Sequence, residues 1–141
     1  MRTLHVYTDG GSRNNPGIAA SAYVILDEEK HILAKEGMVI GVATNNEAEY
    51  SAVLTAFLAI EKRENPSQIC LELYSDSQLV VRQLTGAFRL KSQHLLPYIS
   101  RIKELERKYA AVTYHLISRE KNKDADALVN KALDDRGKSS F

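Results

Sequence analysis

Carboxylates stand at four points of the chain where chemistry is possible. The first is in Val6-Tyr7-Thr8-Asp9-Gly10-Gly11-Ser12, a β-rich run that ends on an acid and breaks into two glycines. Bare of side chains, Gly10 and Gly11 let a ligand backbone approach Asp9; alone, the stretch reads as an Asp-Gly hairpin turn. The second is Glu49, on the same helical face as Ala52, Val53, Ala56 and Ile60. A carboxylate at the edge of that apolar stripe needs a cation or donors to satisfy it. The third is Asp76, in Leu73-Tyr74-Ser75-Asp76-Ser77, where a strand gives way to a helix and Ser75 or Asp76 also suits a helix N-cap. The fourth is the pair Asp124 and Asp126 opening the last helix, where the dipole favours acids whatever their role, so that pattern does not choose between them. Several acids converging, with no histidine pair and no cysteine among them, make a hard oxygen site. Such a site suits Mg²⁺ or Mn²⁺, and its usual chemistry is phosphoryl transfer on a phosphodiester.

The elements that must position these acids follow from periodicity. Residues 2–8, 18–26 and 32–40 alternate like strands, and their short connections make an antiparallel meander. Thr44-Asn45-Asn46-Glu47 then has the form of a capping box, with Thr44 as N-cap and Glu47 reaching back to it, which accounts for Glu47 without a chemical role. The helix it opens stops before Asn65-Pro66, and strand four, 69–75, is entered by that crossover and pairs in parallel. If strands one and four are parallel neighbours, Asp9 and Asp76 emerge at one carboxyl edge, where open α/β sheets bind ligands. A short helix over 77–84 closed by Gly86, a longer one over 92–108, a fifth strand over 111–117 and a last helix over 124–135 complete one α/β domain, with fraying after Gly137.

Composition sets the frame. At 141 residues the chain is one domain, with 44% hydrophobic and 26% charged residues as in soluble globular proteins. No run approaches the ~20 apolar residues of a membrane span, and the N-terminus lacks the layout of a signal peptide, so a cytoplasmic location is expected. The single cysteine, Cys70, in Ile69-Cys70-Leu71, excludes an internal disulfide and a cysteine-based zinc site and reads as a buried structural thiol. A net charge of +1 neither demands nor forbids a nucleic-acid partner.

Four motifs in register resemble those of type 1 ribonuclease H. They are Thr8-Asp9-Gly10-Gly11-Ser12 with Asn15-Pro16-Gly17, Thr44-Asn45-Asn46-Glu47-Ala48-Glu49, Tyr74-Ser75-Asp76-Ser77, and Asn122-Lys123-Asp124-Ala125-Asp126-Ala127-Leu128. The resemblance implies a ribonuclease H-like fold over residues 1–137, with three antiparallel then two parallel strands flanked by helices, and a tail over 138–141. It implies hydrolysis of the RNA strand of RNA–DNA hybrids to 3′-hydroxyl and 5′-phosphate ends by two Mg²⁺ ions, with Mn²⁺ as a possible substitute. The family's acids map onto Asp9, Glu49, Asp76 and Asp126, a choice that the alignment makes between Asp126 and Asp124. Asp9 is then expected to bridge the two ions, and Glu49 to lie near the 2′-hydroxyl. Gly10 and Gly11 leave room for the RNA backbone, Asn15, Asn46 and Gln78 match contacts to sugars and minor-groove edges, and Thr44 with Asn45 lies where the DNA strand is gripped. Turn formation and capping explain the asparagines equally well.

The chain departs from many members in two places. Gly86-Ala87-Phe88-Arg89-Leu90-Lys91-Ser92 is short where a basic, tryptophan-rich protrusion clamps the hybrid, and the chain has no tryptophan, as in the protrusion-less branch. Arg82, Arg89, Lys91 and Arg101 remain as a modest phosphate-binding surface, so weak, steeply salt-dependent binding is expected. Ile117-Ser118-Arg119-Glu120-Lys121-Asn122 lacks the family's histidine; Arg119 is the candidate to touch the scissile phosphate, and His115 reads as structural. A catalytically silent binding domain, an integrase or exonuclease relative, and a reverse-transcriptase fragment are the competing readings. The intact set of acids speaks against silence, and 141 residues leave little room for an integrase's further domains. Met1 directly before strand one speaks against a fragment; a monomer without an obligate protein partner is expected.

Overall fold

Leu4, Val6 and Thr8 are buried while the residues between them are not, the period of a strand with one face on a core. In the computed structural model, which describes residues 1–86 and 92–138, that strand is β1 (Arg2–Arg13), followed by β2 (Gly17–Leu26) and β3 (Ile32–Ala43) in an antiparallel meander. Helix α1 (Asn45–Arg63) crosses over to β4 (Ile69–Ser75), which runs parallel to β1, and β5 (Ala111–Leu116) adds parallel to β4. The sheet order is β3-β2-β1-β4-β5. Helices α2 (Gln78–Leu84) and α3 (Leu96–Glu106) join α1 on one face, and α4 (Lys123–Lys138) lies on the other.

The capping box forms as expected. The Thr44 hydroxyl accepts from the Glu47 amide at 3.1 Å, and the Glu47 carboxylate accepts from the Thr44 amide at 3.0 Å. Ala48, Tyr50, Ala52, Val53, Ala56, Phe57 and Ile60 of α1 are buried; Tyr50, Val53, Ala56, Phe57 and Ile60 join Leu4, Val6, Leu71 and Leu73 of the sheet in the main core, and Ala48 packs with Ala19 and Ala43. On the opposite face Val129 and Leu133 of α4 pack on Ala20 and Ala22 of β2, so α4 covers the meander side and not β4 or β5.

Three expectations change. β1 does not end at Asp9; it runs on through Arg13, with Asp9, Gly10 and Gly11 paired to Ala22, Ser21 and Ala20 of β2. The turn falls instead at Asn14-Asn15-Pro16, where Asn14 has φ 72 and the Asn15–Pro16 peptide is cis. Helix α3 starts at Leu96 rather than at Ser92, because Pro97 in its first turn has no N–H to donate to the carbonyl four residues back and its ring crowds that carbonyl; the residues upstream form turns. Leu95 is buried all the same. Two short 3-10 turns, Pro66–Gln68 and Arg119–Asn122, precede β4 and α4, where the sequence pattern predicts no element. The expected short connection with Arg89 and Lys91, and the end of the tail, lie outside the described residues.

Candidate active site

Asp9, Glu49, Asp76 and Asp126 line one open cleft of about 320 Å³. β4 pairs with β1 only as far as Thr8 opposite Ser75, so Asp9 is the first residue of β1 without a parallel neighbour and Asp76 follows the last residue of β4. Glu49 comes from the second turn of α1 and Asp126 from the first turn of α4. Arg119 and Asn45 also face the cleft. Asp124 is exposed and lines two other cavities, which separates it from Asp126 in space as pattern did not in sequence.

The electrostatics of the cleft are those of crowded acids short of positive charge. Burial, and then the charges of Asp76 and Asp126, push the Asp9 carboxyl up to about 8, partly opposed by a hydrogen bond from the Gly10 backbone. Burial pushes Glu49 up to about 7; a hydrogen bond from Ser77 and the charge of Arg119 draw it down, and Asp76 pushes it further up. None of the four acids forms an ion pair among the described residues. Nor are any three acids, histidines or cysteines among those residues already closed into a metal-binding group. The donor set nonetheless fits a hard divalent cation, since clustered carboxyl oxygens lacking a counter-charge are what Mg²⁺ or Mn²⁺ satisfies.

Asn122 is the contributor that sequence reasoning missed. It is 1% exposed, and its amide donates to the Thr8 carbonyl at 2.9 Å and to Asp76 Oδ2 at 3.3 Å, tying β1 to the start of the acidic edge. In sequence it stands only as the first residue of the fourth motif, with no role attached to it. Asn130, one turn beyond Asp126 on α4, also lines the cleft, and its amide donates to the Asp126 carbonyl at 3.2 Å.

Among the expected substrate contacts, Gly11 faces the cleft with nothing nearer than Val129 at 3.8 Å to a Cβ in its place. Gly10 lines it too, but its bareness also serves packing: a Cβ there would lie 2.3 Å from the Ala48 backbone of α1. The Asn45 side chain accepts from the Ser12 amide at 2.8 Å, and the Asn15 side chain accepts from the Asn45 amide at 3.0 Å, fastening the β1–β2 turn to α1. Asn15, Thr44 and Asn46 line a second groove with His94 and Leu95, a histidine that the sequence reading did not single out. Gln78 is exposed in the first turn of α2 and lines neither cavity. Arg101 pairs with Glu104 at 3.2 Å on the solvated face of α3, and His115 with Glu72 at 2.9 Å.

Residues 7–132 match the family model described as reverse transcriptase-like. The ribonuclease HI of Halobacterium salinarum is 41% identical over 94% of this chain and 65% of its own length, and its crystal structure superposes with a TM-score of 0.89 over 98% of the solved chain. A ribonuclease H1 solved in complex with an RNA/DNA hybrid is 35% identical, covering 94% of this chain and 98% of that one, with a TM-score of 0.90. The N-terminal ribonuclease H domain of a Mycobacterium tuberculosis protein is 30% identical over the whole of both chains, with a TM-score of 0.91. The chain belongs to the type 1 ribonuclease H family. It spans 65% of the curated Halobacterium relative and 36% of the bifunctional mycobacterial one.

Proposed function

We propose that this domain hydrolyses the RNA strand of RNA–DNA hybrids, leaving 3′-hydroxyl and 5′-phosphate ends. The observation that carries the reading is the single cleft lined by Asp9, Glu49, Asp76 and Asp126, in which no basic side chain among the described residues pairs with any of them. Those four carboxylates would hold two Mg²⁺ ions, with Mn²⁺ as a substitute. When bound, the ions supply an activated water and stabilise the leaving 3′ oxygen. Asp9, between Asp76 and Asp126 in its electrostatic couplings, suits the bridging position. Arg119, near enough to lower Glu49, supplies the positive charge that a scissile phosphate needs. Gly11 leaves the cleft floor open to a strand backbone; Asn45 in the cleft and Asn15, Thr44 and Asn46 in the second groove would contact the hybrid, with Gln78 as a further contact.

The relative solved with an RNA/DNA hybrid supports the substrate class. No helix among the described residues is long and apolar enough to cross a membrane; a cytoplasmic monomer built of one domain over residues 1–137, acting without an obligate protein partner, completes the proposal. Incubation with a labelled hybrid and Mg²⁺, beside Asp9→Asn and Asp76→Asn, tests it. Cleavage of the RNA strand by the parent protein alone is expected. A parent protein inert with Mg²⁺ and Mn²⁺ overturns the activity, and persistent cleavage by Asp76→Asn overturns the site.

A further inference from the structure

On the α4 side of the sheet, beyond the strands that helix covers, three rings from three adjacent strands form a row. Tyr7 and Tyr74 lie 4.5 Å apart between centroids at 11°, and Tyr74 and His115 lie 4.8 Å apart at 19°. The row ends at Tyr7, which opens on a cavity of about 260 Å³ floored by Val24 and Leu26. Lys30, Lys121 and Lys123 stand on its rim with Glu120 and Asp124. None of the three lysines pairs with a carboxylate among the described residues; Lys30 instead reaches over the Tyr74 ring, 5.7 Å from its centroid. Lys30 is held there by a turn with φ 67, a left-handed conformation unusual for a side-chain-bearing residue, in which Asp27 accepts from the Glu29 and His31 amides at 2.9 Å.

A stack of rings that ends at an open cavity accepts another planar ring, and a rim of unpaired lysines accepts an anion. We propose that this cavity takes an unpaired nucleotide of a nucleic-acid strand, its base against Tyr7 and its phosphodiester among Lys30, Lys121 and Lys123. Three lysines against two carboxylates leave one positive charge in excess, which matches the single charge of a phosphodiester better than the charge of a free nucleoside triphosphate. The cavity is separate from the acidic cleft, with the buried Asn122 between them. The turn Arg119–Asn122 sends Arg119 to the cleft and Lys121 to the cavity. A single-stranded extension of a bound duplex is therefore the natural occupant.

The test needs no cleavage. The protein in EDTA is titrated with the dinucleotide ApA, with AMP and with inorganic phosphate, and the tyrosine ring resonances are followed by NMR. A saturable shift of Tyr7 and Tyr74 with ApA is expected, weakened about tenfold in Tyr7→Leu and in the surface double variant Lys30→Glu/Lys123→Glu. The lysine variant leaves the sheet intact and carries the test should Tyr7→Leu fail to fold. Absence of a saturable shift, equal binding of phosphate alone, tighter binding of AMP than of ApA, or affinity unchanged in the lysine variant each overturns the proposal.

Discussion

Thr8 and Ser75 are the last pair of the parallel ladder between β1 and β4, and the next residue on each strand is an aspartate of the cleft. Where the ladder stops, β1 continues with only β2 beside it, and the gap left by β4 becomes the space into which Asp9 and Asp76 project. The acidic site is thus a consequence of one strand outrunning its neighbour.

The raised carboxyls set the stability of the metal-free protein against pH. Asp9 titrates near 8 in the fold, against about 3.8 ordinarily, so between those values the folded state binds more protons than the unfolded one and stability falls as pH rises. Glu49, pushed to about 7, adds in the same sense. Thermal unfolding in EDTA should show Tm falling by several degrees from pH 5 to pH 8, with a shallower fall in Asp9→Asn and in saturating Mg²⁺. A Tm that rises over this range in EDTA contradicts the crowded-acid picture.

Gly10 and Gly11 separate by their neighbours. Alanine at Gly10 drives a Cβ into the Ala48 backbone, so α1 and with it Glu49 must shift; a loss of about 1–3 kcal/mol and of most hybrid cleavage is expected. Alanine at Gly11 meets only ordinary contacts and should be neutral or stabilising by up to about 1 kcal/mol. Denaturant unfolding distinguishes the two, and a cleavage loss confined to activity in Gly11→Ala would mark a steric role toward substrate.

How much of this was legible in the sequence depends on range. The capping box at Thr44 and Glu47, strand β4 and the sharing of a face by Glu49 and Ile60 are local patterns, and each stands where periodicity puts it. The continuation of β1 past Asp9 was not legible, because the Asp-Gly-Gly run resembles a turn and only its pairing with Ala20–Ala22 of β2 keeps it extended. Asn122 was not legible either: its bonds reach Thr8 and Asp76, 114 and 46 residues away. In pattern Asp124 and Asp126 look alike because both sit in the first turn of α4; the family resemblance chooses Asp126, and in the structure Asp126 lines the cleft while Asp124 lies outside it.

That parting yields a paired test. Asp126→Asn removes one of the charges acting on Asp9 and one donor of the cleft, and should lower cleavage by roughly 10²-fold or more while leaving the fold intact. Asp124→Asn, exposed and outside the cleft, should cleave at close to the parent rate. Initial rates on a labelled hybrid decide; a reversed order would move the fourth acid to Asp124.

Asn122→Ala strips the Thr8 carbonyl of its buried donor and frees Asp76 to swing. Leaving that acceptor unpaired costs about 1–3 kcal/mol of stability. The second effect is on the cation: an outer partner of a metal-binding carboxylate typically accounts for about 10- to 100-fold in affinity, so the Mg²⁺ concentration giving half-maximal cleavage should rise by that factor. Calorimetric titration with Mg²⁺, run beside thermal unfolding, separates the two. A variant that loses stability but keeps the parent's Mg²⁺ affinity would reduce Asn122 to a structural tie between β1 and the turn before α4.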